Sequence, residues 1–144
     1  MIRLGRIATL PHAKRRVLLE SLLIVIAVRL GLSLLSYNRI RGIIGRRKTA
    51  TTAQVNLADL KLIAWAVPRV ARFVPAATCL TQALAAQYLL SARGAHSTVR
   101  IGVANGEAGF EAHAWLVCAG HIITGNAGGA IHRYTPLADL EAAS

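Results

Sequence analysis

An α+β fold, with helices packed on one face of a small antiparallel sheet, is what this sequence predicts. Apolar residues recur at helical spacing through the first half of the chain. From Ser97 the period falls to two, with Val99, Ile101 and Val103 alternating. Asn105-Gly106 and Ala119-Gly120 then punctuate this second half as hairpin turns, giving three strands in a meander. At 144 residues the chain suits one domain with a real core.

The first long apolar segment, "VLLESLLIVIAVRLGLSLLSY" (17–37), reads as a helix, but Glu20 and Arg29 bracket an uncharged run of eight residues. A membrane span wants roughly twenty apolar residues with few charges. The expectation is therefore an apolar helix that docks on the domain or on a partner. "NRIRGIIGRRKTATT" follows as a linker loosened by Gly42 and Gly45. Asn56 or Thr52 then caps a helix over "LADLKLIAWAVPRVARF", which Pro68 should kink or end. The best-defined helix is "CLTQALAAQYLLSARG", with Thr78 as its cap and Gly94 as its stop. "YTPLADLEAAS" closes the chain as a short helical turn.

Charge divides the chain at about residue 50: residues 1–50 hold eleven Lys/Arg against Glu20 alone, and 51–144 hold six against five acids. The first part is an apolar and basic unit suited to docking a partner, and the second is the catalytic candidate. Aromatic residues make up 5% of the chain and none interleave with the basic run, so a base-stacking nucleic-acid surface is not expected. A mean hydropathy of +0.47 calls for an apolar surface facing a partner or a membrane edge. Two cysteines without a cleavable signal peptide predict two free thiols in a reducing cytosol.

Cys79 falls at the first position of its helix, where unpaired backbone N–H groups and the macrodipole favour negative charge. The bland reading is a buried structural thiol. The hairpin sharpens the alternative. With Ala119-Gly120 as a two-residue turn, Cys118 faces His121, Trp115 faces Thr124, and His113 comes opposite Asn126. A slip of one residue would exchange Asn126 for Gly125 or Ala127. On this register His113 and Asn126 point towards the helices and Cys118 points away. Cys79, His113 and Asn126 then make the nucleophile, base and orienter of a cysteine hydrolase. Gln54 and Gln82 are available as oxyanion donors, though Gln82 reads more simply as a surface residue. His113, Cys118, His121 and His132 do not make a metal site, because Cys118 lies on the wrong face and the spacing completes no zinc motif.

At these residues the sequence resembles a known family, the transglutaminase-like leader peptidases of lasso-peptide biosynthesis, or B2 proteins. The likeness runs through "ATCLTQALAAQYLLSARG", "VRIGV", "FEAHAWLV" and "RYTPLADL". It implies a transglutaminase-like or papain-like cysteine protease core over 51–144 that cuts the leader from a ribosomally made precursor peptide. By position Cys79 is the nucleophile and His113 the base. The family often uses Asp as the third group; here Asn126 stands there, with Asp139 in reserve. The resemblance also implies as partners the precursor, a separate leader-binding B1 protein and an asparagine-synthetase-like cyclase. No cofactor is bound directly, and any nucleotide dependence enters through the partners. Two other readings remain: an acyl transferase on the same fold, or a non-catalytic adaptor at a membrane edge in which Cys79 merely fills space. The protein is expected in the cytoplasm, with peripheral membrane contact left open by the apolar helix.

Overall fold

The computed structural model describes residues 9–45, 56–107, 109–125 and 131–141. In them run α1 (His12–Leu34), α2 (Tyr37–Gly45), α3 (Leu57–Ala71), α4 (Cys79–Ala92), β1 (Thr98–Gly106), β2 (Gly109–Cys118), β3 (His121–Thr124) and β4 (Thr135–Glu141). The strands form one antiparallel sheet in the order β3-β2-β1-β4. Helices followed by strands is the α+β arrangement that the change of period predicts.

The central element is α4, which packs against α1, α3 and β2 and buries residues on nearly every side. Thr78 caps it, its hydroxyl accepting from the Thr81 N–H at 3.4 Å. At the other end Gly94 takes φ +77 while the N–H groups of Gly94 and Ala95 return to the carbonyls of Ser91 and Leu90. That pairing satisfies the Leu90 and Ser91 carbonyls in the last turn of the helix. Asn56, rather than Thr52, caps α3: its side chain accepts from the Ala58 N–H at 2.9 Å, whereas Thr52 lies outside the described residues. Pro68 does not end α3, which continues to Ala71. The Arg69 guanidinium donates to the Trp65 carbonyl at 2.7 Å, next to the Ala64 carbonyl, to which Pro68 has no N–H to offer.

One hydrophobic cluster joins Val25 and Val28 of α1, Ile40 of α2, Ile63 and Val67 of α3, and Leu84, Leu89 and Leu90 of α4, together with Val99 and Leu116 of the sheet. Packing is thus continuous across the compositional boundary at residue 50. An ion pair between Arg93, just past α4, and Glu20 on α1 (2.9 Å) fastens the same contact. Two expectations are corrected. The segment expected as a linker is helical over α2, because burying Ile40 outweighs the local cost of its glycines. The expected C-terminal helical turn is instead β4, which makes the sheet four-stranded. Its pairing with β1 supplies hydrogen bonds and the Arg100–Asp139 cross-strand pair, and its Pro136 is tolerated because β4 is an edge strand.

Candidate functional site

Cys79 is the first residue of α4, half-buried, at the point where the helix presents its open N–H groups. The chain reaches it through a turn in which Ala77 N–H bonds the Val74 carbonyl at 3.3 Å and Ala76 adopts φ +58. A non-glycine residue in that region stores about 1 kcal/mol of backbone strain, here three residues before the nucleophile candidate.

The β2–β3 hairpin turns at Ala119-Gly120, both at positive φ, and Cys118 pairs with His121 as the turn dictates. The register then slips. A bulge between Leu116 and Val117 pairs Leu116 with Thr124, so Trp115 does not face Thr124 as the two-residue turn alone predicts. Asn126 itself lies outside the described residues. The assignment of faces is also reversed. Ala114, Leu116 and Cys118 enter the helix-facing cluster, while His113 and Trp115 occupy the other side of β2. Cys118 donates its S–H to the His96 carbonyl at 3.2 Å, and burial pushes its pKa up.

His113 nevertheless lines the same cleft as Cys79. Among the described residues pairing with β3 reaches Leu116–Thr124, and Gly125 (φ +94) follows, close against Ala114 and Trp115 of β2. A cleft of about 440 Å³ opens there, lined by Cys79, Gln82, His113, Thr124, Gly125 and Pro68 among others. The His113 ring is fixed from two directions. Its Nε2 lies 2.5 Å from the Gly125 carbonyl oxygen, and its plane lies against the rings of Trp115 (centroids 6.1 Å apart) and Tyr134 (5.0 Å). Since a carbonyl only accepts, Nε2 carries the proton and Nδ1 is the basic nitrogen. Gly102 makes room for this stack: a Cβ there would stand 2.7 Å from the Trp115 ring.

Sequence reasoning therefore places Cys79 and His113 in one cleft but misses the residues that hold the ring, Gly125 and Tyr134. Period-2 counting reaches Gly125 only by a slip of one residue. Gln82, read as a surface residue, lines the cleft because it sits three residues after Cys79 and so shares its helix face. The buried Thr124 hydroxyl, also in the lining, finds no hydrogen-bond partner among the described residues. Gln54 lies outside the described residues. His121 and His132 are exposed, and among the described residues no group of three His, Cys, Asp or Glu is placed to hold a metal.

Asp139 is not brought to His113. It sits on β4, across β1 from β2, in a two-pronged pair with Arg100 at 2.7 and 3.0 Å. The Arg100 hydrogen bond holds its carboxyl below the usual range. A depressed carboxylate pKa adds stability above the unfolded value, lost as pH falls through the folded one. The pair is well exposed, so Asp139→Asn should cost less than about 1 kcal/mol at neutral pH. Thermal melts at pH 7 and pH 3 check this: the difference between the two proteins should shrink as the pH is lowered.

The two thiols offer another check. Iodoacetamide at mildly alkaline pH should alkylate Cys79 in the cleft and spare Cys118, which is buried and hydrogen-bonded. Peptide mass mapping reads the result, and equal labelling of both would contradict this placement.

The model of the transglutaminase-like superfamily matches residues 22–139 of the chain. No curated protein and no solved structure gives a match.

Proposed function

Because the chain belongs to the transglutaminase-like superfamily, whose members are commonly cysteine peptidases or acyl transferases, we propose that it is a cysteine peptidase that removes the leader from a lasso precursor peptide. One observation carries the hydrolytic chemistry: Cys79 at the start of α4 and His113, with Nε2 already committed to Gly125, line the same cleft. The lasso precursor as substrate rests on the resemblance of the Cys79 block, "HAW" and "RYTPLADL" to the leader peptidases.

In the proposed cycle His113 Nδ1 takes the Cys79 proton, and the sulfur attacks the carbonyl at the leader–core junction. The C–N bond breaks as His113 returns its proton to the core's amine. The leader remains as a thioester on Cys79 until water, deprotonated by the same nitrogen, releases it as a carboxylic acid. Backbone N–H groups at the start of α4 face the developing oxyanion, and Gln82 is near enough to the nucleophile to add a side-chain donor. The Gly125 carbonyl holds the imidazole and stabilises the imidazolium, the task expected of Asn126. A separate leader-binding protein delivers the precursor, and an asparagine-synthetase-like cyclase consumes the released amine.

The test is to incubate the full chain with precursor and leader-binding protein in the cytosolic redox range and to weigh the products. Leader acid plus free core supports the peptidase. A new amide to an added amine, without free leader acid, assigns the transferase instead. An unchanged precursor together with binding of both partners points to the adaptor.

A further inference from the structure

We propose that α1 lies flat in an anionic membrane surface, attaching the domain to lipid without crossing it. The helix is apolar on two opposite sides. One side, with Val17, Val25 and Val28, is buried in the domain core. The other carries Leu19, Leu23, Ile26, Leu30 and Leu34, and it is open: Leu23 is 67% exposed and Leu34 81%. These positions recur every three or four residues and so form a single stripe, about 22 Å long at the helical rise.

By length and hydropathy α1 would qualify as a span, and only 22% of its most apolar window is buried. Crossing a bilayer would, however, pull Val25 and Val28 out of the cluster they share with α3 and α4 and break the Glu20–Arg93 pair. An in-plane position keeps the core intact and covers only the open side.

The surroundings select lipid as the occupant. Exposed Arg15 and Arg16 precede Leu19 by one turn, and exposed Arg39 follows the stripe. Beside it the α3–α4 connection presents exposed Arg72 and Phe73, the latter lining an apolar groove with Ile26 and Leu30. Among the described residues of α1 and α2 the one acid is Glu20, already paired with Arg93. The stripe itself is aliphatic throughout, the polar Arg29 and Ser33 that share its groove bond each other, and its charged margins are cationic. That combination suits a fluid anionic surface. For the proposed activity it would put the cleft near a membrane, but the inference rests on α1 and the residues beside it, not on that activity.

Flotation of the full chain with vesicles tests it. Binding is expected to vesicles of equal parts phosphatidylglycerol and phosphatidylcholine, weakening as salt rises and much weaker on phosphatidylcholine alone. Leu23→Glu with Leu30→Glu should cut partitioning by about tenfold or more. Arg15→Glu with Arg16→Glu should do the same on anionic vesicles only. All four positions are exposed, so circular-dichroism melts of both variants should match the parent. Failure to bind anionic vesicles, or binding indifferent to the Leu substitutions, overturns the proposal. So does a lipid-free dimer that those substitutions dissolve, which would make a second copy the occupant.

Discussion

Cys79→Ala should abolish precursor cleavage, lowering kcat/KM by about a thousandfold or more, while leaving the fold intact. The thiol is half-buried at the cleft wall rather than within the core, and alanine is the better helix former, so the melting temperature should move by only a few degrees. His113→Ala should be comparably inactive, and combining the two should add little, because nucleophile and base act as one unit. Steady-state cleavage assays of the single and double variants check the pattern. A Cys79→Ala protein with full activity would remove the catalytic reading and leave a scaffold in which the sulfur fills space. Multiplicative losses in the double variant would mean that the two residues work apart.

Gly125→Ala should be the most damaging substitution outside that pair. Gly125 sits at φ +94, and a Cβ added there would lie 2.7 Å from Trp115 Cβ and 2.8 Å from the Ala114 carbonyl oxygen. Neither neighbour can give way, since both belong to the backbone or to the root of a buried ring. The strand exit must shift instead and carry with it the carbonyl that holds His113. A stability loss of about 1–3 kcal/mol is expected from the strained conformation. Cleavage should fall by about a hundredfold or more once the imidazole loses its orienting acceptor. Because a merely destabilised enzyme would recover rate on cooling, the assay belongs well below the variant's melting temperature, with a pH–rate profile beside it. Asn126→Ala, by contrast, should stay within about tenfold of the parent if the carbonyl does the orienting. A collapse of activity in Asn126→Ala with little effect in Gly125→Ala would give the third role to the carboxamide.

Much of this site was legible in the residue order because its anchors are local. Thr78 and Gly94 mark the ends of α4 by capping chemistry alone, which places Cys79 at the helix start before any tertiary contact is known. Ala119-Gly120 likewise marks the hairpin that brings β3 alongside β2. Less was legible where a choice depends on a distant neighbour. Ala114, Trp115 and Leu116 are buried in succession, on both sides of the sheet, so alternation could not say which side faces the helices.

The sequence by itself determined the helical half, the strand-rich half, the start of α4 at Cys79 and the presence of His113 on the strand that packs against it. These follow from caps, turn dipeptides and periodicity, each readable within a few residues. Only the tertiary structure decided that residues 135–141 form a fourth strand, that Ile40 draws the basic linker into a helix, and that one side of α1 is core while the other stays open. It also brought the Gly125 carbonyl to the His113 imidazole. A single extra residue at the Leu116–Val117 bulge leaves no mark in composition, yet it moves Thr124 from Trp115 to Leu116, and the ring of His113 lies against the Gly125 backbone carbonyl.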